Sequence, residues 1–218
     1  MSEPPVRRNT ILLSASQAAN SAMLQLSAAV ATLTVVLVLG VRSLVGLGPA
    51  IVLGTGALSA LPAGRAMDRF GRVPVLVTGF ALGITGGALA AAGAAFHLAA
   101  AVLTGLVCVG AASATALLAR TAAGDMYPPS RRARGISFVL FGAVFGAILG
   151  PTVFSPLLAG RELDADALVY PWLAASAFMV LGLVLVAFVR PDPSKIARMI
   201  AVHERDAATQ EKPAELRA

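Results

Sequence analysis

Charge is what this 218-residue chain has least of: Asp, Glu, Lys and Arg make up only 13% of it. A soluble domain typically carries roughly a quarter, so an ordinary water-facing fold is excluded at the outset. The single cysteine, Cys108, excludes an internal disulfide framework. The two histidines, His97 and His203, stand far from it and from each other, so no metal cluster is expected. His97 reads as an interfacial turn residue and His203 as a solvated surface residue. Lysine is nearly absent, two against fifteen arginines, as a GC-rich genome would produce. Convincing nucleophile–base pairs and phosphate-binding loops are also missing. The glycine-rich stretch "GLGPAIVLGTG" (46–56) lies inside an apolar run, where glycine serves helix packing. An enzyme is the least expected class: no catalytic residue, cofactor or metal site is assigned.

What is abundant is hydrophobic residue, 57% of the chain, with a mean hydropathy of +0.81. Crossing a bilayer takes about 20 apolar residues per helix, and six runs qualify: 10–38, 46–64, 74–95, 97–119, 135–159 and 168–189. The fold class is an all-α membrane protein with six transmembrane helices. The first run is long enough to tilt or protrude, and Gln17, Asn20 and Gln25 interrupt it, unlike a cleaved leader. With the N-terminus inside, the cytoplasmic segments hold 15 of the 17 basic residues, and the outer loops only Arg42 and Arg161. That bias places both termini in the cytoplasm. Opposite them, the last outer loop carries Glu162, Asp164 and Asp166. The same distribution accounts for the net charge of +6 without a nucleic-acid partner. A bacterial cytoplasmic (inner) membrane is the expected location. The chain divides into an N-terminal segment (1–9), the six-helix domain (10–190), an amphipathic segment (191–205) and a disordered tail (206–218).

Between the second and third runs lies a charged knot, "GRAMDRFGRVP" (64–74). Gly64 would let the second helix approach a neighbour closely, Gly71 would permit a tight turn, and Pro74 suits a helix's first turn. Asp68 is suited to accept from the bare N–H groups of a helix N-terminus, while the arginines pair with it or with lipid headgroups. The knot resembles the signature loop of the major facilitator superfamily, which lies between helices 2 and 3 of those secondary transporters. "DMYPPSRRARG" (125–135) is similar to that superfamily's loop between helices 4 and 5, and "RPDPSKIAR" (190–198) to its exit from helix 6. The resemblance implies a major-facilitator-type fold, of which this chain supplies the N-terminal six-helix half of a usual twelve. There are departures. "GAVFGAILGPTVFSPL" (142–157), with Pro151, resembles the Gly-Pro motif of many antiporters, but Phe154 and Ser155 stand where glycines usually follow. The arginine often found in helix 4 is missing from "VLTGLVCVGAA", and helix 1 has no carboxylate.

Small residues recur at a spacing of four in the second run (Gly56, Ala60, Gly64) and the fifth (Gly142, Gly146, Gly150). Such rows draw helices together in lipid, either within one protomer or between two. In the resembled fold, helix 2 of one half packs beside the helix-5 equivalent of the other. A homodimer would then let Asp68 cap the partner's fifth helix. Gln17, Ser21 and Gln25 share a helix face flanked by Asn20. They line a substrate cavity or bond between helices. Ser113 and Thr115 join them by resemblance, with interhelical bonding again the alternative. Arg120 and Asp125 read as part of a gate with Arg69 and Arg72: Asp125 reaches Arg120 only if the helix frays, or serves the arginines at 131–134. Beyond the sixth run, Ser194 is expected to cap a helix whose Ile196, Met199, Ile200 and His203 face lies on the membrane. The functional expectation is a half-size secondary transporter of a small solute, working by alternating access as a homodimer or with a second half-chain, embedded among membrane lipids. The alternatives are a non-transporting regulator of a full transporter, or a fragment of a twelve-helix one.

Overall fold

The computed structural model describes residues 5–158 and 164–215. Arg161 and Glu162 of the acidic loop, and the first four and last three residues, lie outside that set. Among the described residues there are eight α-helices: α1 (Val6–Leu39), α2 (Leu47–Phe70), α3 (Arg72–Ala95), α4 (Ala99–Leu117), α5 (Ala119–Gly124), α6 (Arg132–Leu158), α7 (Val169–Ala187) and α8 (Pro193–Glu215). Six segments are long and apolar enough to cross a membrane, α5 continuing the span of α4. This agrees with the six runs read from the sequence. Helices suit such a chain because lipid offers backbone groups no hydrogen-bond partner, and a helix satisfies its own.

The ends of α1 and α2 are set by glycine. α1 stops at Gly40, which adopts φ +71° and sends its N–H back to Val36 O at 2.9 Å. At 34 residues, α1 is about 50 Å long, more than a bilayer core requires. The signature segment between α2 and α3, expected as a loop, is helical on both sides of one residue. α2 runs through Asp68 and Arg69 to Phe70, Gly71 turns at φ +98°, and Arg72 is already the first residue of α3.

α1 is the central element, packed on α6, α7 and α4, while α3 lies across α4 and α7. The core includes Leu13, Met23, Leu26, Leu76, Phe80, Leu106, Trp172 and Met179, all essentially inaccessible. Its largest member, Trp172, donates from Nε1 to Thr34 Oγ1 at 2.9 Å, joining α7 to α1 by a buried hydrogen bond. Small residues bring α3 and α4 backbone to backbone: a Cβ built on Gly86 would lie 2.8 Å from Gly105 O.

The two small-residue rows behave differently. The α6 row is taken up inside the chain, against α1. A Cβ on Gly142 would strike Ser14 O, one on Gly146 would strike Ala18 O, and one on Gly150 would come 2.6 Å from Gln25 Cβ. The Ser14 hydroxyl reinforces this seam by donating to Phe138 O at 2.9 Å. Of the two placements the sequence leaves open for this row, the one within a single chain is the one seen. Of the α2 row, only Gly56 meets a neighbour, Gly110 O at 3.3 Å from its built Cβ. Ala60 is exposed, and nothing lies within 4 Å of a Cβ on Gly64, so Gly64 makes no close approach among the described residues of this chain. α2 leans chiefly on α4 and leaves Leu53, Leu58 and Leu61 bare, Leu58 at 78% exposure. α6 turns Phe141, Val144, Phe145 and Ile148 outward in the same way. Both α6 prolines, Pro151 and Pro156, sit inside a continuing helix.

The last helix departs from the expected pattern. Asp192, not Ser194, precedes α8 and accepts its first amides. Ile196 is buried in the core and Ile200 packs against it, while Met199 and His203 are exposed. The four residues expected to share a membrane-facing side are thus divided, and the Ile196–Ile200 face belongs to the bundle. α8 also continues as helix to Glu215, through the stretch read as a disordered tail. Strong helix formers there, among them Ala207, Ala208, Glu211 and Lys212, fit that continuation.

Adding one methyl group distinguishes the two rows. Gly146→Ala is expected to destabilise the detergent-solubilised protein by about 1–3 kcal/mol, because the methyl meets backbone. Gly64→Ala is expected to leave the thermal unfolding midpoint unchanged or raise it. Equal losses at both positions would contradict the packing described.

Candidate functional site

The charged groups gather at one end of the bundle, where α2, α5 and α7 finish and α1, α3, α6 and α8 begin. At that basic end, Arg72 is the junction. Its Nη1 donates to Asp68 Oδ1 at 2.7 Å, an i,i+4 pair across Gly71. Its Nε and Nη2 both lie 2.9 Å from Asp125 Oδ2, at the end of α5. Asp125 is therefore paired to neither Arg120 nor the 131–134 cluster, because the start of α3 brings a closer cation. Asp68 is mostly exposed, its side chain 76% accessible, and its partner in this chain is Arg72 rather than a helix end. Arg69 projects away and stacks on the Phe70 ring, 5.3 Å from its centroid.

The N-terminus of α3 is nonetheless capped by an acid, which arrives from 120 residues away. Asp192 accepts from the Arg72 amide at 3.2 Å (Oδ1) and the Val73 amide at 2.8 Å (Oδ2). The next residue, Pro74, has no N–H to satisfy, so the first turn of α3 is complete. The same carboxylate accepts the Ser194 amide at 2.8 Å and so starts α8. Burial alone would raise the Asp192 carboxyl, but the amides of Val73, Ser194 and Arg72 and the Ser194 hydroxyl outweigh it and hold the group below its ordinary range. Gly71 is required twice here: its φ is positive, and a Cβ would come 3.0 Å from Asp192 Oδ2. Two further bonds fasten α1 to the same segment, Arg8 Nη2 to Phe188 O at 2.6 Å and Asn9 Nδ2 to Pro191 O at 3.2 Å. Asp192 was absent from the residues singled out in the sequence, although an acid directly before Pro at a helix start is a capping signal.

The polar stripe of α1 is split by the packing. Gln17 and Asn20 are buried within the six-helix unit, and Gln17 Oε1 and both amide atoms of Asn20 find no hydrogen-bond partner among the described residues. Ser21 is half-buried beside Gly146, and Gln25 is exposed. On α4, Ser113 and Thr115 each donate to a carbonyl of their own helix, Val109 O at 2.8 Å and Ala111 O at 2.9 Å. Thr115 presses its methyl against α3 at Gly79 and borders a groove of about 590 Å³ among α2, α3 and α4, apart from Ser113. Ser113 lines a second groove, of about 460 Å³, with Leu24, Val52, Gly56 and Arg120. Arg120 is half-buried there, its Nε bonded to Leu117 O at 3.1 Å, and it faces no carboxylate within ion-pair distance among the described residues. The second groove is apolar, with one cation at its basic end.

Two measurements test the knot. Because the Asp192 carboxyl is held low in the folded state, its contribution is full above the unfolded value of about 4 and disappears as pH falls through the lower folded value. The stability lost in Asp192→Ala, on the order of 0.5–2 kcal/mol for a helix cap, is expected to be constant from pH 8 to pH 5 and to shrink only in stronger acid. A difference that vanished near neutrality would contradict the assignment. Arg72→Gln is expected to lower the unfolding midpoint clearly, whereas Arg69→Gln stays within about 0.5 kcal/mol. The reverse order would contradict the network.

Comparison with known proteins places this architecture. A sequence profile of the Major Facilitator Superfamily matches residues 11–210. The chain is 33% identical over 196 residues to an uncharacterized MFS-type transporter, YdeG, of Bacillus subtilis, covering 89% of this chain and 46% of that protein. It is 30% identical over 173 residues to a second, YddS, of the same organism, covering 77% and 39%. Its fold is similar to the crystal structure of a D-xylose–proton symporter (TM-score 0.72, 20% identity, 97% of this chain, 53% of that one). It is likewise similar to a partially occluded, inward-open xylose transporter XylE from E. coli (TM-score 0.73, 19% identity, 94% and 57%). The chain thus spans about half the length of the relatives it matches, and their descriptions are of transporters rather than enzymes. With six spans folded as half of that architecture, the chain belongs to the Major Facilitator Superfamily.

Proposed function

We propose that this chain is one half of a secondary transporter and moves a small solute across the membrane by alternating access. The observation that carries the reading is a complete six-helix unit, half the length of its relatives, whose α2 and α6 keep bare apolar faces. A second six-helix half covers them, and rocking of the two halves about a site near the midplane exposes the solute to each side in turn. That half is a second copy of the chain, a separate chain or further sequence of the same polypeptide. Ser21, Gln25 and Ser113 are the polar groups best placed near the solute, and Arg120 guards its basic end. The basic end lies in the cytoplasm, as the arginine bias dictates, and the membrane is the inner membrane of a bacterium.

A second reading, a non-transporting half that binds and regulates a full transporter, draws on a different observation. No Asp or Glu occurs in α1, α3, α4, α6 or α7, so this half offers no obvious proton carrier within the membrane. Under the leading reading that carrier belongs to the other half.

One experiment separates these readings. In a Cys108→Ser background, cysteines replace Leu58 on α2 and Phe145 on α6, and membranes are oxidised. A homodimer yields a covalent product of twice the chain mass; a separate second half yields a mixed product where it carries a cysteine on the facing surface. Solute accumulation in the same cells is expected to fall several-fold in Gln25→Ala with protein level unchanged. Cross-linking without any accumulated or expelled solute would favour the regulatory reading, and neither product nor transport would overturn both.

A further inference from the structure

A pocket of about 540 Å³ opens between the starts of α1 and α6 at the basic end, apart from both grooves described above. It is lined by Arg7, Thr10, Ile11, Tyr127, Arg134 and Phe138. Two positive side chains thus border one concavity, and neither Arg7 nor Arg134 has a hydrogen bond or ion pair among the described residues. Their neighbours are committed elsewhere. Arg8 donates to Phe188 O, and Asp125 is held by Arg72. Arg131 and Arg132, the next charged residues on the α6 side, add positive charge rather than neutralise it. Two unneutralised guanidinium groups repel each other across the pocket, and an anion between them removes that repulsion.

The remaining lining narrows the chemistry. The Thr10 and Tyr127 hydroxyls lie 3.1 Å apart, adding a polar wall beside the cations. Thr10 Oγ1 already donates to Val6 O at 2.8 Å, so Tyr127 supplies the proton of the pair. Both hydroxyl protons are thereby used within the chain, so the two guanidinium groups are the donors the pocket has left to offer. On the other side, Ile11 and Phe138, 47% and 50% exposed, form an apolar edge. Guanidinium forks match the oxygens of a phosphate better than those of a halide, since each offers parallel donors.

We propose that this pocket binds a phosphate group, held by Arg7 and Arg134 and carried by a membrane lipid headgroup or a soluble phosphomonoester. This goes beyond the transport reading and does not depend on it. The apolar edge at Ile11 and Phe138 suits a lipid headgroup at the membrane surface; the guanidinium pair serves either source.

The test uses the full chain purified in detergent micelles and phosphatidic acid labelled on an acyl chain, with binding read by fluorescence anisotropy. Unlabelled phosphatidic acid is expected to displace the probe, and diacylglycerol, which lacks the phosphate, is not. Arg7→Gln and Arg134→Gln are each expected to weaken binding about tenfold. Arg131→Gln, outside the pocket, leaves it unchanged, and circular dichroism checks that all variants keep their helices. Displacement by millimolar glycerol 3-phosphate assigns a soluble phosphate as a competent ligand; resistance to it assigns the lipid. Equal displacement by diacylglycerol, or equal loss in Arg131→Gln, would overturn the proposal.

Discussion

The arrangement at the basic end depends on how the first turn of α3 is satisfied. A helix beginning at a membrane surface exposes amides that lipid does not solvate. Here Asp192 accepts from Arg72 and Val73, and Pro74 has no amide to satisfy. The backbone of Arg72 is thereby fixed, and its guanidinium reaches Asp68 on α2 and Asp125 beyond α5. One residue's two ends therefore join α2, α3, α5 and the start of α8, with Arg8 and Asn9 adding α1. The lateral packing of small residues against backbone then determines how closely the spans lie.

The same economy of contacts explains what is left open. α3, α4 and α7 spend their small residues on each other, Trp172 of α7 bonds Thr34 of α1, and α6 spends its glycine row on α1. α2 and the outer face of α6 leave apolar side chains uncovered, Leu53, Leu58 and Leu61 on the one and Phe141, Val144 and Phe145 on the other. In lipid such faces are not penalised as they are in water, so their exposure does not by itself say what covers them. The chain spans about half the length of the relatives it matches.

Much of the fold was legible in the sequence, because apolar runs of membrane length leave little choice of structure. The spans and the half-superfamily architecture follow from hydropathy and from the motif at 64–74. The wiring of the charges was not. Asp68 has the chemistry of a helix cap, but Arg72 lies four residues on, and a single-residue break keeps the two in reach. The cap instead is Asp192, whose pairing with Arg72 and Val73 depends on how the end of α7 and the start of α3 lie side by side, which no local pattern records. Asp125 pairs with Arg72 rather than with Arg120 or the 131–134 cluster for the same reason. The glycine row of α6 packs on α1, and a spacing of four does not say whether the neighbour is in the same chain. In α1, Gln17 and Gln25 share a face, yet the packing buries Gln17 and leaves Gln25 exposed.

Amide hydrogen exchange at Arg72 and Val73 tests the central claim most directly. At these positions no intrahelical bond protects the amide, so slow exchange reports the cap alone. The account requires slow exchange in the native chain, fast exchange in Asp192→Ala and still-slow exchange in Asp68→Ala. Fast exchange in the native chain, or loss of protection with Asp68 rather than Asp192, would contradict it.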